Sequence, residues 1–540
     1  MLSLARAFAA ALVLLCLATE AGAEPANRLG PLEPIYADFL DAGGAISLIE
    51  SGAVASFDGL DRPAWQARFD AGLAALNQAL ARIDEARLSA EERRALLGMR
   101  SGVEFRTGAS LAPTGDCADA ARASASGREL RTALYACFSS VGDAVAFEGG
   151  AYSRVAALQL LEQLDQPERR RALFMAMEPL WRAVNANNAP SSPYRRLIVA
   201  EAENARANIA NAEQSLGLAP GAGERWLVRA LEAWRDAAPL GDAIEPWDFR
   251  YAYAQGARVV HACAPRERLA EANNRFFADL GANLARLNVI QDIDARPGMA
   301  PVDYTDFVRI GRRVDRAWRP AVTHVSVLLQ EGGLSGAGEL AHEFGHAVHF
   351  SAIRARPSLV FTDDLSMPAE AFADITGWSV YDPIWQRKYL GCAASAAEGL
   401  RARLGFAILD IAWGLFELRM ARAPESDPNL VWTEIANAYL SIAPHPELSW
   451  WAVRGQLVDD PGYMITYALG AFVTADVRER IQASIGPFDG GNRRWYGFVS
   501  RHLFRQGGEQ PPHMLLEWFL GRPVSLDALL ANIAQARAVQ

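Results

Sequence analysis

Apolar side chains recur at three- and four-residue steps through much of residues 63–288, the spacing of one face of an α-helix. Trp65, Phe69, Leu73, Leu76 and Leu80 form the first such face. Ser89, followed by Glu91 and Glu92, reads as a capping hydroxyl ahead of first-turn acids and starts another helix. Further helices are predicted over 150–164, 167–188, 192–214, 223–238 and 265–288. Their separators are Asp165-Gln166-Pro167, Pro190-Ser191-Ser192-Pro193 and Pro220-Gly221-Ala222-Gly223. The segment from Glu24 to about Gly59, with Gly43-Gly44 and scattered prolines, reads as mixed, and Gly108 to Gly127 as a loop. The character changes near Asp294-Ala295-Arg296-Pro297-Gly298. Ala321 to Leu329 has the β-branched density of a strand, either an ordinary core strand or an edge that could pair with an extended peptide. Helices then resume, including 396–421 with Leu400, Leu404, Ile408, Ile411, Leu415 and Leu418 inward. No internal repeat interrupts this. The chain is expected to be mostly α-helical, with an N-terminal helical region over 24–300 and a second region over 301–540.

Composition narrows the function classes. With 540 residues, 51% of them hydrophobic, the chain can bury a large core in more than one lobe. A net charge of −10 argues against nucleic acid as a partner. Arg6, a short apolar run from Ala7 to Leu17 and the small residues Ala21-Gly22-Ala23 read as a signal peptide over 1–23. That run is too short to span a bilayer comfortably, so no stable membrane insertion is expected after its removal. The expectation is an exported protein, periplasmic or extracellular. Cys117, Cys137, Cys263 and Cys392 then allow two disulfides, with Cys117–Cys137 the nearer pair.

Chemistry concentrates in two stretches. Ala341-His342-Glu343-Phe344-Gly345-His346-Ala347-Val348-His349 contains H-E-x-x-H. Four residues apart on a helix, His342 and His346 share a face and can offer two imidazoles to one zinc ion, with Glu343 beside them to take a proton from a zinc-bound water. Two histidines do not complete a site, and Glu370, 24 residues after His346 on a second helix, is the candidate third ligand. Asp374, one turn further, faces the same way and is expected to accept a hydrogen bond from a ligand histidine. Two acids on a helix are more often a solvated face, but their place behind the motif favours the ligand reading. His349 is expected to pack rather than ligate, while His324, His445, His502 and His513 lack a ligand spacing. Tyr463 and Tyr467 stand one helical turn apart, either as core or as donors to the oxyanion of a tetrahedral intermediate.

These residues carry a family resemblance. His342-Glu343-Phe344-Gly345-His346 with Glu370-Ala371-Phe372-Ala373-Asp374 resembles the gluzincin metallopeptidases, above all the thimet oligopeptidase and oligoendopeptidase F group, and also the angiotensin-converting enzyme family. Tyr463 to Gly470 is similar to the oligoendopeptidase F stretch with two tyrosines. The likeness covers about residues 300–530. It implies a two-lobed helical fold around a deep cleft, with a small strand element beside the zinc helix. It further implies peptide substrates and a zinc-dependent metallopeptidase cutting within oligopeptides. Converting enzymes hold the substrate's C-terminal carboxylate with a lysine; Lys388, the only lysine, stands in no matching context. Two alternatives remain, a zinc carboxypeptidase of the same clan and a catalytically silent metal-binding interaction protein. The intact Glu343 speaks against the second.

Overall fold

The computed structural model describes residues 28–537 apart from 109–116, 118–126, 143, 238–242, 295, 297–298, 300–301 and 361. The expected signal segment and most of the 108–127 loop lie outside the described residues. The described chain is mostly α-helical, with three small sheets.

Local chemistry explains many helix starts. Asp61 caps the helix Arg62–Leu80, its side chain accepting the Ala64 N–H. Ser89 and Glu92 form a reciprocal cap on Ala90–Gly108, since each side chain receives the other's backbone N–H. Ser395 and Glu398 do the same for the 27-residue helix Ala396–Arg422. Elsewhere the expected helices are subdivided. Residues 167–188 fold as Pro167–Ala176 and Glu178–Asn185, and residues 192–214 as Pro193–Ala200 and Ala202–Ser215. Residues 265–288 form one helix only to Asp279. The expected 150–164 helix is short, Arg154–Leu160, because Gly150–Tyr152 pairs with Val145–Phe147 as a hairpin.

The segment that reads as mixed, 24–59, is corrected most. Glu33–Glu50 is one continuous helix straight through Gly43-Gly44. A Cβ on Gly44 would lie 2.2 Å from the Phe307 carbonyl oxygen, so glycine serves close packing against a strand here, not a turn.

The predicted strand is Val322–Ser326, and it is central. It pairs in parallel with Val289–Asp292 and antiparallel with Tyr304–Arg309. Both its edges are occupied, so these residues cannot receive a peptide by edge addition; all five are buried.

Two main cores hold the molecule. The larger joins residues from 130 to 536, including the interior faces of Gly333–Ala352 and Ala396–Arg422. A smaller one joins residues 29–99 to 307–360. Each draws on residues from both sides of position 300. No helix among the described residues is long and apolar enough to cross a membrane.

Candidate metal centre

The H-E-x-x-H motif lies within the helix Gly333–Ala352, and Glu370 lies on Ser366–Gly377. The two helices cross in unusually close contact. Gly345 permits it, since a Cβ there would sit 2.7 Å from both the Ala373 carbonyl oxygen and Thr376 Oγ1. Thr376 Oγ1 stitches the crossing by donating to the Ala341 carbonyl at 2.8 Å. A third helix, Met464–Ile485, backs the second, with Thr474 donating to the Ala371 carbonyl at 3.0 Å.

This packing brings His342, His346 and Glu370 together, and they are the one group of potential metal ligands found among the described residues. His342 Nε2 and His346 Nε2 are 3.2 Å apart. Glu370 Oε2 lies 3.3 Å from the first and 3.5 Å from the second. The three atoms form a near-equilateral triangle. Zinc bonds of about 2.0–2.1 Å in a tetrahedron require ligand atoms roughly 3.3 Å apart, so the triangle fits that ion. Glu370 Oε2 is also buried with no hydrogen bond of its own, a cost that a cation at the triangle would relieve. Zinc fits the donors present.

Neighbouring groups set the orientation of the ligands. Asp374 Oδ1 accepts from His342 Nδ1 at 2.8 Å, which assigns the proton to Nδ1 and frees Nε2 for the metal. His346 Nδ1 has no such partner among the described residues. Tyr463 donates its hydroxyl to Glu370 Oε1 at 2.8 Å. Burial alone would lower the basicity of His342, but its hydrogen bond to Asp374 and the nearby Glu370 carboxylate outweigh it and hold the ring well above its ordinary range. Burial likewise opposes the Glu370 carboxylate, yet His342 and His346 keep it well below the usual range.

Glu343 is 6% exposed, and burial pushes its carboxyl up against the pull of His346, His342 and Thr305. Thr305 is a contact the sequence reading missed. Its hydroxyl lies 2.8 Å from both Glu343 Oε2 and the Glu343 carbonyl oxygen. It belongs to the strand Tyr304–Arg309, whose alternate positions mix apolar and polar side chains, so no period-two pattern in the sequence singled it out.

His349 turns away into aromatic packing with Phe350, Phe372 and Phe504. Burial pushes it down to about 3, so it is a neutral core residue. His324 is occupied by Asp292 at 3.2 Å within the sheet, and His445 by Glu245 and Glu447 on the surface. Tyr463 and Tyr467 pack edge to face, ring centroids 5.5 Å apart. Tyr467 also faces Arg454, whose guanidinium carbon is 5.2 Å from the ring centre.

No protein-family model and no curated protein sequence matches this chain. Solved structures do match. An M32 carboxypeptidase from Deinococcus radiodurans R1 aligns with a TM-score of 0.50 at 15% identity, over 95% of this chain and 100% of its own. PZ peptidase A, solved with an inhibitor, aligns with a TM-score of 0.56 at 13% identity, over 94% and 96%. Metallocarboxypeptidase 1 of Trypanosoma cruzi aligns with a TM-score of 0.50 at 11% identity, over 94% and 99%. This chain has a peptidase fold. The likeness runs nearly end to end, well beyond residues 300–530, where the motifs gave their resemblance. Within that peptidase fold the first half of the chain, which reads as helical scaffold and names no chemistry of its own, is part of the same architecture.

Proposed function

We propose that this chain is a zinc metallopeptidase that removes residues from the C-terminal ends of peptides. The observation that carries the reading is the triangle of His342 Nε2, His346 Nε2 and Glu370 Oε2, with Glu343 beside it, in a fold shared with two carboxypeptidases. The sequence alone favours cutting within oligopeptides, as in the thimet oligopeptidase and oligoendopeptidase F group. The likeness to two named carboxypeptidases supports the end-directed mode instead. The assignment of individual roles is part of the proposal.

When bound, zinc would lower the pKa of a water toward about 7 and polarise the scissile carbonyl. The chain's own residues do the rest. Thr305 holds Glu343 Oε2, which leaves Oε1 to accept the proton of the attacking water and pass it to the leaving amine. Tyr463 is committed to Glu370 Oε1, so Tyr467 is left to donate to the oxyanion.

A carboxypeptidase also needs a cation for the substrate's terminal carboxylate. Lys388 is not it, being engaged by Asp279 at 2.7 Å and by the Gly490 carbonyl. Arg454 is also paired with an aspartate, but it is the better candidate because its guanidinium faces Tyr467 and interacts with the charge of Glu370. Its partner Asp410 lies at 2.9 Å, and although burial opposes its charge, Asp410, Tyr467, Glu339 and Glu370 hold it above its ordinary range. Arg154 stands near it, bonded to the Val453 carbonyl. Two disulfides, Cys117–Cys137 and Cys263–Cys392, support an oxidising destination outside the cytoplasm.

The test is a pair of peptides identical except for a free or an amidated C-terminus, incubated with zinc-loaded protein and followed by mass spectrometry. Stepwise loss from the free end, with the amide slower by about tenfold or more, is expected from the lost charge-assisted contact. Equal internal cuts in both peptides would restore the oligopeptidase reading. No cleavage of either would remove the enzyme.

A further inference from the structure

Glu417 sits toward the C-terminal end of the long helix Ala396–Arg422, among Trp413, Leu415, Phe416, Leu418 and Met420. It is 1% exposed. Burial drives its carboxyl up to about 8 although two backbone donors point at it. Those donors are the Gly462 N–H, 2.9 Å from Oε1, and the Met464 N–H, 2.7 Å from Oε2. They flank Tyr463 on both sides. The turn is also tightly seated: Gly462 has φ +92, and a Cβ on it would meet the Ala205 carbonyl oxygen at 2.6 Å. From the same helix Asn208 donates to Asp460 Oδ1 at 3.0 Å and to the Pro461 carbonyl at 3.1 Å. Tyr463 thus leaves a backbone clamped on two sides and delivers its hydroxyl to Glu370 Oε1.

We infer that Glu417 is a positioning residue for the metal centre: by receiving the N–H groups on either side of Tyr463 it fixes the phenol that orients Glu370. The inference rests on the reading that His342, His346 and Glu370 hold zinc. The plain alternative is that Glu417 only satisfies backbone donors at the start of Met464–Ile485. A cap of that kind would change stability and leave the metal alone. A positioning residue changes the metal, and does so only through Tyr463.

A double-mutant cycle separates the two. Zinc affinity would be measured by competition with a chelator for wild type, Glu417→Gln, Tyr463→Phe and the double variant, with folding followed by circular dichroism. The amide keeps one acceptor and loses the other. Each single variant is expected to lose roughly 10–100-fold in affinity, as for other groups behind a ligand, and the double variant no more than Tyr463→Phe alone. Unchanged affinity in folded Glu417→Gln, or two losses that multiply, would overturn the inference. If Glu417→Gln does not fold, Asn208→Ala loosens the same turn more gently. It should lose affinity in the wild-type background and nothing further in the Tyr463→Phe background; wild-type affinity in Asn208→Ala counts against the inference. Wild type that binds no zinc would fail earlier, overturning the zinc reading on which this rests.

Discussion

Asp374 accepts a hydrogen bond from the Nδ1–H of His342 at 2.8 Å, and that one contact decides which nitrogen faces the metal. Asp374→Asn should weaken zinc binding by roughly 10–100-fold without unfolding the protein, measured by chelator competition alongside circular dichroism. Unchanged affinity would return Asp374 to an ordinary helix surface. Glu343→Gln should keep zinc and the fold while turnover falls by at least about a hundredfold, because an amide cannot accept the proton. Peptide hydrolysis within about tenfold of wild type would assign the base elsewhere. His349 gives a prediction of opposite character. Its ring is held neutral by burial among phenylalanines, so the folded pKa, near 3, lies below the unfolded value of about 6.5. The unfolded chain therefore binds the extra proton first, and stability falls as pH drops from about 6.5 toward 3. His349→Phe should flatten that part of a denaturation-versus-pH profile; an identical slope in both proteins would contradict the buried neutral ring. At this scale the sequence was legible wherever site residues share one helix, as the ligands His342 and His346 do, and as the ligand Glu370 does with Asp374. Thr305, Arg454 and Glu417 were not legible: Thr305 touches Glu343, Arg454 faces Tyr467 and Glu417 accepts from the backbone on either side of Tyr463, each from a segment distant in sequence from the H-E-x-x-H helix and with no motif of its own.

At the level of elements, the crossing of Gly333–Ala352 with Ser366–Gly377 carries the ligand geometry, and Gly345 is its narrowest point. Gly345→Ala would force the Ala373 carbonyl and Thr376 Oγ1 away from 2.7 Å contacts. We expect a stability loss of about 1–3 kcal/mol from overpacking, together with weaker zinc binding as Glu370 moves off the histidines. Chemical denaturation and metal titration on the same variant check this; a stable variant with wild-type affinity would mean the helices have slack. Helix existence was readable from apolar spacing, and Ala396–Arg422 matches its expected range within a residue. Glycine misled. At Gly44 it marks close packing between a helix and the strand Tyr304–Arg309, and at Gly43 a close approach of the Arg106 side chain; nothing local distinguishes either from a turn. The centrality of Val322–Ser326 was equally hidden, because its neighbours were not recognised as strands and strand order depends on long-range pairing.

Across the whole molecule, sequence-distant segments share cores, so the site is held by most of the chain. Cys263–Cys392 closes a span of 129 residues that contains both motif helices. Replacing both cysteines by serine should destabilise the folded protein by about 2–4 kcal/mol, read as a lowered denaturation midpoint. No change would show that this link contributes little. The central claim, however, is that His342, His346 and Glu370 together bind zinc, and metal analysis of the purified protein tests it most directly. After brief chelation, reloading with zinc and removal of the excess, wild type should hold about one zinc per chain and the His342→Ala/His346→Ala double variant essentially none. Full occupancy in that folded double variant would contradict the account.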